Sequence, residues 1–304
     1  MLAISAPTLP PFRPPWWARG GHTQTIAAGV LPCRAPAVGG MARELELEDG
    51  DRVVLLHRPM PGSTRVVYLF HGLGGDSDSG CVRRAAAAFP DCHLIALNHR
   101  GCGLGKGMAQ RPYHSGSAAD LAAVVEWGRA RHPDARHIAI GFSLSGNALL
   151  LGLARGAGPD AAIAVNPPID LAACSVAIST GRNRVYDVHF VNACRRDPRA
   201  RGYGLRPWHR LRDVDELYTA PAAGFADAAD YYARCSASPH LRAIDQPTVI
   251  LTAADDPFVP IAMFDGVPDS IHLHVERRGG HVGYLPHHGD WLGPALAAFA
   301  GALG

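Results

Sequence analysis

A serine hydroxyl attacks a carbonyl only when a base takes its proton and fixed donors receive the negative charge that forms. The chain holds candidates for all of these parts. Gly141-Phe142-Ser143-Leu144-Ser145-Gly146 follows an apolar run and precedes a helical pattern. A strand that turns sharply into a helix lifts such a serine to the end of a sheet, and small flanking residues relieve the crowding there. The usual spacing is G-x-S-x-G; here Ser145 stands in place of the second glycine. Serine is small, so the departure is expected to cost strain more than function. Ser145→Gly is expected to stay active and be marginally less stable. Ser145 is also a rival nucleophile. Ser143 is preferred because it lies at the junction, with Gly141 before it at the right spacing.

A glycine-rich turn, Phe70-His71-Gly72-Leu73-Gly74-Gly75, follows a second apolar run. Backbone amides in such a turn can face the serine, and those of Leu73 and Leu144 are the expected oxyanion donors. A phosphate-holding loop is the competing reading. It is weaker because the chain has no G-x-x-x-x-G-K-[ST] motif. The run 251–260, LTAADDPFVP, ends a buried strand in Asp255 and Asp256, which compete for the acid role. Asp170, in NPPID after the preceding strand, is a third candidate, and turn chemistry alone explains an Asp-Pro pair. His281 follows a strand and two glycines in RRGGHVGYLP, 277–286. With 16 histidines in the chain, a single one is weak evidence. His272 with His274, and His287 with His288, have two-ligand spacings, but no third or fourth ligand completes a metal site. No metal and no other cofactor are expected.

Order separates these readings. Ser143, Asp256 and His281 run Ser…Asp…His, the order of α/β-hydrolases and of no other common serine-enzyme fold. Each falls at the end of an expected strand. Short apolar runs at 65–70, 92–98, 137–142, 161–166 and 248–253 suit parallel strands buried on both faces. Helical patterns at 81–89, 117–132, 145–155 and 291–303 alternate with them. Residues 42–49 read as a half-buried strand, paired through an Asp-Gly turn with 52–59. The expected fold is α/β, an α/β-hydrolase: a mostly parallel twisted sheet with helices on both faces and an inserted helical cap. Residues 1–40 are expected to be an extended arm, 41–167 and 241–304 the core, and 168–240 the cap.

The 304 residues are 47% hydrophobic and 18% charged, enough for a full core and too apolar for a disordered chain. A net charge of +2 gives no reason to expect a nucleic-acid partner. Seven scattered cysteines without a C-x-x-C pair fit a reducing, cytoplasmic setting. The N-terminus lacks the basic and apolar regions of a signal peptide, and 137–154 is interrupted by Ser, Gly and Asn where a spanning helix would be apolar.

Seven segments together carry a resemblance: GGHTQT (20–25), FHGLGGDSDSG (70–80), LNHRGCG (97–103), GFSLSGN (141–147), YTAPAAGFADAADYY (218–232), TAADDPFVP (252–260) and GGHVGYLP (279–286). The chain resembles the YheT-like esterases, an abhydrolase-domain branch of the α/β-hydrolase superfamily. The resemblance implies Ser143 as nucleophile, Asp256 as acid and His281 as base. It further implies a cofactor-free carboxylic-ester hydrolase acting on short- or medium-chain acyl esters as small-molecule substrates. Acyl transfer to an alcohol by the same residues, and a non-catalytic ligand-binding module, are the alternatives. In the expected cap, Arg195, Arg196, Arg199, Arg201, Arg206, Arg210 and Arg212 face only Asp197 in charge, with Tyr203 and Trp208 interleaved. A solvated basic face is the preferred reading and peripheral contact with an anionic membrane surface the sharper one. Trp16 and Trp17 are expected to pack against the core rather than anchor at an interface.

Overall fold

Residues 7–304 are described by a computed structural model. Eight strands form one sheet in the order β1-β2-β4-β3-β5-β6-β7-β8. They are β1 Met41–Glu46, β2 Arg52–Arg58, β3 Arg65–Phe70, β4 His93–Asn98, β5 Arg136–Phe142, β6 Ala161–Val165, β7 Thr248–Ala253 and β8 Ile271–Glu276. The β1/β2 and β2/β4 pairs are antiparallel and the remaining pairs parallel. Every residue of β4, β6 and β7 is buried, as continuous apolar runs require when helices cover both faces.

Side chains alternate between two cores. Tyr68, Phe70 and Ala139 face one with α3 (Ala118–Arg129) and α4 (Leu144–Ala154). Leu69, Ile138 and Ile140 face the other with α2 (Gly80–Ala87) and α10 (Leu292–Ala302). Fully burying one such branched side chain contributes about 1.5–3 kcal/mol, so the central strands fix the register strongly. β1 departs from expectation. It is exposed along almost its whole length, with only Leu45 half-buried. It is an edge strand, and its charged Arg43, Glu44 and Glu46 suit an unpaired edge rather than a half-buried face.

The N-terminal segment also needs correction. Pro10 and Phe12 do lie against the core: the Pro10 carbonyl accepts from Trp291 Nε1 at 2.7 Å, and the Phe12 ring meets that of Trp291 at 5.2 Å. An extended arm over the whole of 1–40 is not what is found, because α1 spans Gly21–Val30; residues 1–6 lie outside the described residues. The helix shows no clear apolar stripe in its sequence because its inward face packs on loops through Gly21 and Gln24. Trp16 is 75% and Trp17 48% exposed, so neither packs into the core.

Between β6 and β7 lie α5 (Leu171–Ile178), α6 (Arg184–Arg195), α7 (Leu211–Val214), α8 (Ala220–Ala223) and α9 (Ala228–Cys235). Arg199 is not part of a solvated face. It pairs with Asp197 at 2.7 Å and donates to the carbonyls of Arg100 and Arg111, tying this region to the sheet. Among the described residues no helix is long and apolar enough to cross a membrane.

Candidate active site

β5 runs directly into Ser143, whose φ of 53° and ψ of −119° lie where non-glycine residues are strained. The turn is held by the Ser143 amide donating to the Val165 carbonyl at 2.8 Å and the Gly146 amide donating to the Ser143 carbonyl at 2.8 Å. Gly141 permits it: a Cβ there would lie 2.7 Å from the Ser145 carbonyl oxygen.

His281 Nε2 stands 2.7 Å from Ser143 Oγ, and its Nδ1 stands 2.8 Å from Asp256 Oδ2. The Asp256 side chain is fully buried. Its charge is satisfied by donors: Asn166 Nδ2 at 2.8 Å on Oδ2, and the amides of Phe258 and Val259 at 3.1 and 3.0 Å on Oδ1. The Nδ1–H of His281 is thereby directed at the carboxylate, which leaves Nε2 free to accept from the serine.

The other acids do different work. Asp255 Oδ1 accepts from the Gly280 amide at 2.9 Å and so holds the histidine loop. Burial pushes its carboxyl above the usual range, against the opposing pull of the Gly280 and Gly279 amides. Asp170 caps α5, accepting from the Ala173 amide at 2.9 Å.

Several supporting residues escaped the reading of the sequence. Thr25 Oγ1 accepts from the His281 amide at 2.8 Å and donates to the Gly21 carbonyl at 2.7 Å. Gln24 grips Leu285 twice, accepting from its amide at 2.7 Å and donating to its carbonyl at 3.1 Å. A side chain on Gly21 would run into the Asp255 carbonyl, so only glycine admits this approach of α1. The GGHTQT segment is therefore a splint for the histidine loop. Asn166 is the second such residue. It donates to Asp256 and accepts from the Tyr284 hydroxyl at 2.9 Å. Among the described residues, the non-glycine residues at positive φ are Ser143, Asn166, Val282 and Tyr284, all within this site. Strain of this kind persists only where surrounding contacts over-determine it.

The His71–Leu73 turn lies against the serine: a Cβ on Gly72 would be 3.1 Å from Ser143 Cβ. Among the described residues, the Leu73 and Leu144 amides donate to no protein group. Burial pulls the His71 imidazole down to about 4, with the Gly72 carbonyl opposing. Ser145, the rival nucleophile, is wholly buried and is bonded not to His281 but to His99, Tyr113 and the His71 carbonyl.

Above the site passes α6. Tyr186 and Phe190 pack on Phe258 with centroids 5.1 and 6.0 Å apart, and the Phe258 ring lies 4.1 Å from that of His281. The Tyr186 hydroxyl meets His22 Nδ1 at 2.9 Å, joining α6 to α1. The remaining histidine pairs lie elsewhere. His272 and His274 pack on Phe299, and His287 stacks on His288. Among the described residues no group of three or more His, Cys, Asp or Glu is arranged to hold a metal ion.

Comparisons with known proteins agree with this architecture. The sequence pattern of the Alpha/beta hydrolase family matches residues 66–293. YheT of Escherichia coli (strain K12), whose name makes it a candidate esterase, is 34% identical over 268 residues, covering 80% of this chain and 78% of that protein. Medium-chain fatty acid ethyl ester synthase/esterase 2 of Saccharomyces cerevisiae is 25% identical over 277 residues, covering 77% of this chain and 61% of the longer yeast protein. Among solved structures, an esterase of Pyrococcus furiosus superposes with a TM-score of 0.55 at 17% identity, covering 80% of this chain and 84% of that one. Est1E of Butyrivibrio proteoclasticus, with ferulic acid bound, does so with a TM-score of 0.54 at 16% identity, covering 85% and 96%. These structural likenesses bear on the fold alone. The chain belongs to the alpha/beta hydrolase family and is an esterase-like member of its YheT branch.

Proposed function

We propose that the protein is a serine carboxylesterase that cleaves short- or medium-chain acyl esters through an acyl-enzyme. The observation that carries the reading is the unbroken run of contacts from Ser143 Oγ to His281 Nε2 at 2.7 Å and from His281 Nδ1 to the buried Asp256 at 2.8 Å. His281 takes the serine proton as Oγ bonds to the ester carbonyl carbon, and the carbonyl π electrons move to the oxygen. The Leu73 and Leu144 amides receive that oxyanion. Collapse breaks the bond to the alkoxy group, which leaves with the proton from His281. Water then repeats the sequence on the acyl-enzyme and releases the carboxylic acid. Asp256 holds the imidazole tautomer and stabilises the imidazolium without taking the proton.

The test is a fluorophosphonate probe together with p-nitrophenyl esters of increasing acyl length. Labelling of Ser143 and turnover of the shorter esters, both lost in Ser143→Ala, are expected. An unlabelled, well-folded protein would make it a ligand-binding module instead. The name of the yeast relative favours one second reading, transfer of the acyl group to an alcohol. Ethyl ester formation in the presence of ethanol, at a rate above hydrolysis, would establish it. The seven unpaired cysteines support a reducing, cytoplasmic setting.

A further inference from the structure

We propose that Ser145 is a positioning residue for the oxyanion site: its buried hydroxyl clamps the His71–Leu73 turn to the first turn of α4. The inference rests on the esterase reading above and concerns how the same site is held in register. A serine hydroxyl has one proton to donate and two lone pairs. Here all three are used. The proton goes to the His71 carbonyl, and the lone pairs face His99 Nε2 at 2.8 Å and the Tyr113 hydroxyl at 2.6 Å. Ser145, His71 and His99 are wholly buried, and Tyr113 is 6% exposed, so water does not substitute for these bonds.

The neighbouring histidines fit this assignment. His71 Nδ1 lies 2.8 Å from the Gly72 carbonyl and must donate to it, while its Nε2 accepts from the His99 amide at 3.3 Å. His99 then carries its proton on Nε2, toward Ser145, and its unpartnered Nδ1 carries none. The rings of His99 and Tyr113 stack at 3.8 Å with 6° between planes, and the Tyr113 hydroxyl oxygen lies 3.3 Å from the His71 carbonyl, so its one proton is shared between Ser145 Oγ, the nearer acceptor, and that carbonyl. The clamp is therefore backed by a rigid pair.

Its place in the chain gives it a catalytic consequence. Leu144, one residue before Ser145, carries one proposed donor; Leu73, two residues after His71, carries the other. One hydroxyl bridges the two segments. A donor must lie about 2.7–3.1 Å from the oxyanion, so a turn displaced by a few tenths of an ångström leaves that range and its donor is weakened. A glycine at 145, the usual residue of the motif, would leave the separation of the two segments to backbone packing alone.

The test compares Ser145→Ala and Tyr113→Phe with the unaltered protein. The readouts are p-nitrophenyl ester kinetics, the rate of Ser143 phosphonylation by a fluorophosphonate, the Ki of a trifluoromethyl ketone that forms a tetrahedral adduct, and melting temperature. Ser145→Ala is expected to lower kcat about tenfold to a hundredfold at nearly constant KM, short of the roughly 10²–10³ for outright loss of a donor. Phosphonylation should slow, and the ketone Ki rise, by the same factor, while the pH midpoint of kcat/KM stays in place because His281 is untouched. Tyr113→Phe should shift the same three readouts in the same direction, by less. A folded Ser145→Ala protein with unaltered kcat and ketone affinity overturns the proposal, whatever its melting temperature. If Ser145→Ala does not fold, unaltered kcat and ketone affinity in Tyr113→Phe overturn it. Absence of Ser143 labelling in the unaltered protein instead refutes the esterase reading itself, and the proposal with it.

Discussion

Replacing Asp256 by asparagine keeps its shape and inverts its hydrogen bonding. The carboxylate now accepts from four donors: His281 Nδ1, Asn166 Nδ2 and the amides of Phe258 and Val259. An amide has one oxygen to offer. If that oxygen stays on the two backbone amides, the new NH₂ group faces the Asn166 NH₂ and the imidazole. His281 must then turn its lone pair to Nδ1 and its proton to Nε2, toward Ser143, where it can no longer act as a base. If the amide flips, its NH₂ opposes the Phe258 and Val259 amides. Either way buried donors are left unpaired, each at about 1–3 kcal/mol. The expected loss of kcat is about 10⁴, the magnitude known for the same change in a serine-protease triad, or ~5.4 kcal/mol at about 1.36 kcal/mol per decade. Asp255→Asn is the control. Its oxygen can still accept from the Gly280 amide, so kcat should stay within about tenfold. Initial rates on a p-nitrophenyl ester and thermal melts of both variants decide the matter. Equal loss in the two variants, or greater loss in Asp170→Asn, would refute the assignment of the acid.

Ser143→Ala should remove turnover, by roughly 10⁶ in kcat, with an unchanged circular dichroism spectrum; residual activity that Ser145→Ala abolishes would reverse the nucleophile. Thr25→Val takes away the acceptor for the His281 amide at nearly constant volume, and a drop in kcat of about tenfold to a hundredfold is expected in steady-state assays of the folded variant. Burial holds His71 down to about 4 and His99 well below the ordinary histidine value. Their folded-state pKa values lie below the unfolded value of about 6.5, so the stability they contribute is complete above that pH and lost as pH falls toward 4. Melting temperatures that stay level from pH 7 to 4.5 would contradict this. Arg199→Met leaves Asp197 without its partner and three carbonyls without their donor; a loss of about 1–3 kcal/mol in urea melts, with faster proteolysis across 195–212, is expected.

The central strands were readable because each is a short apolar run with no rival pattern, and the structure has them at 65–70, 93–98, 136–142, 161–165 and 248–253. The candidates Ser143, Asp256 and His281 stood out for a related reason: each follows a strand, Ser143 two residues after Gly141, Asp256 beside Pro257 and His281 beside Gly280. The contacts that steady them did not. Thr25 and His281 are 256 residues apart, Asn166 and Tyr284 118, and neither pairing leaves a local mark. Ser145 was weighed by its size and as a rival nucleophile, whereas its partners His71, His99 and Tyr113 lie 74, 46 and 32 positions away. The helix α1 was missed because proline and tryptophan dominate the residues before it and its inward face meets loops. Edge exposure of β1 depends on its place in the sheet, which alternation along one strand does not encode.

The splint formed by α1 has a consequence for how the protein is made. Gln24 waits for Leu285, 261 residues further along the chain. At about 5–20 residues per second, the ribosome needs roughly 13–50 s to supply that partner. For that interval the first helix lacks this contact, and its Ile26 and Val30 face solvent as they do in the finished fold. His281, the proposed base, is made 256 residues after Thr25, the side chain that receives its amide. On the proposed mechanism, hydrolytic competence is a late event, and a nascent chain released before His281 would carry the serine without its base.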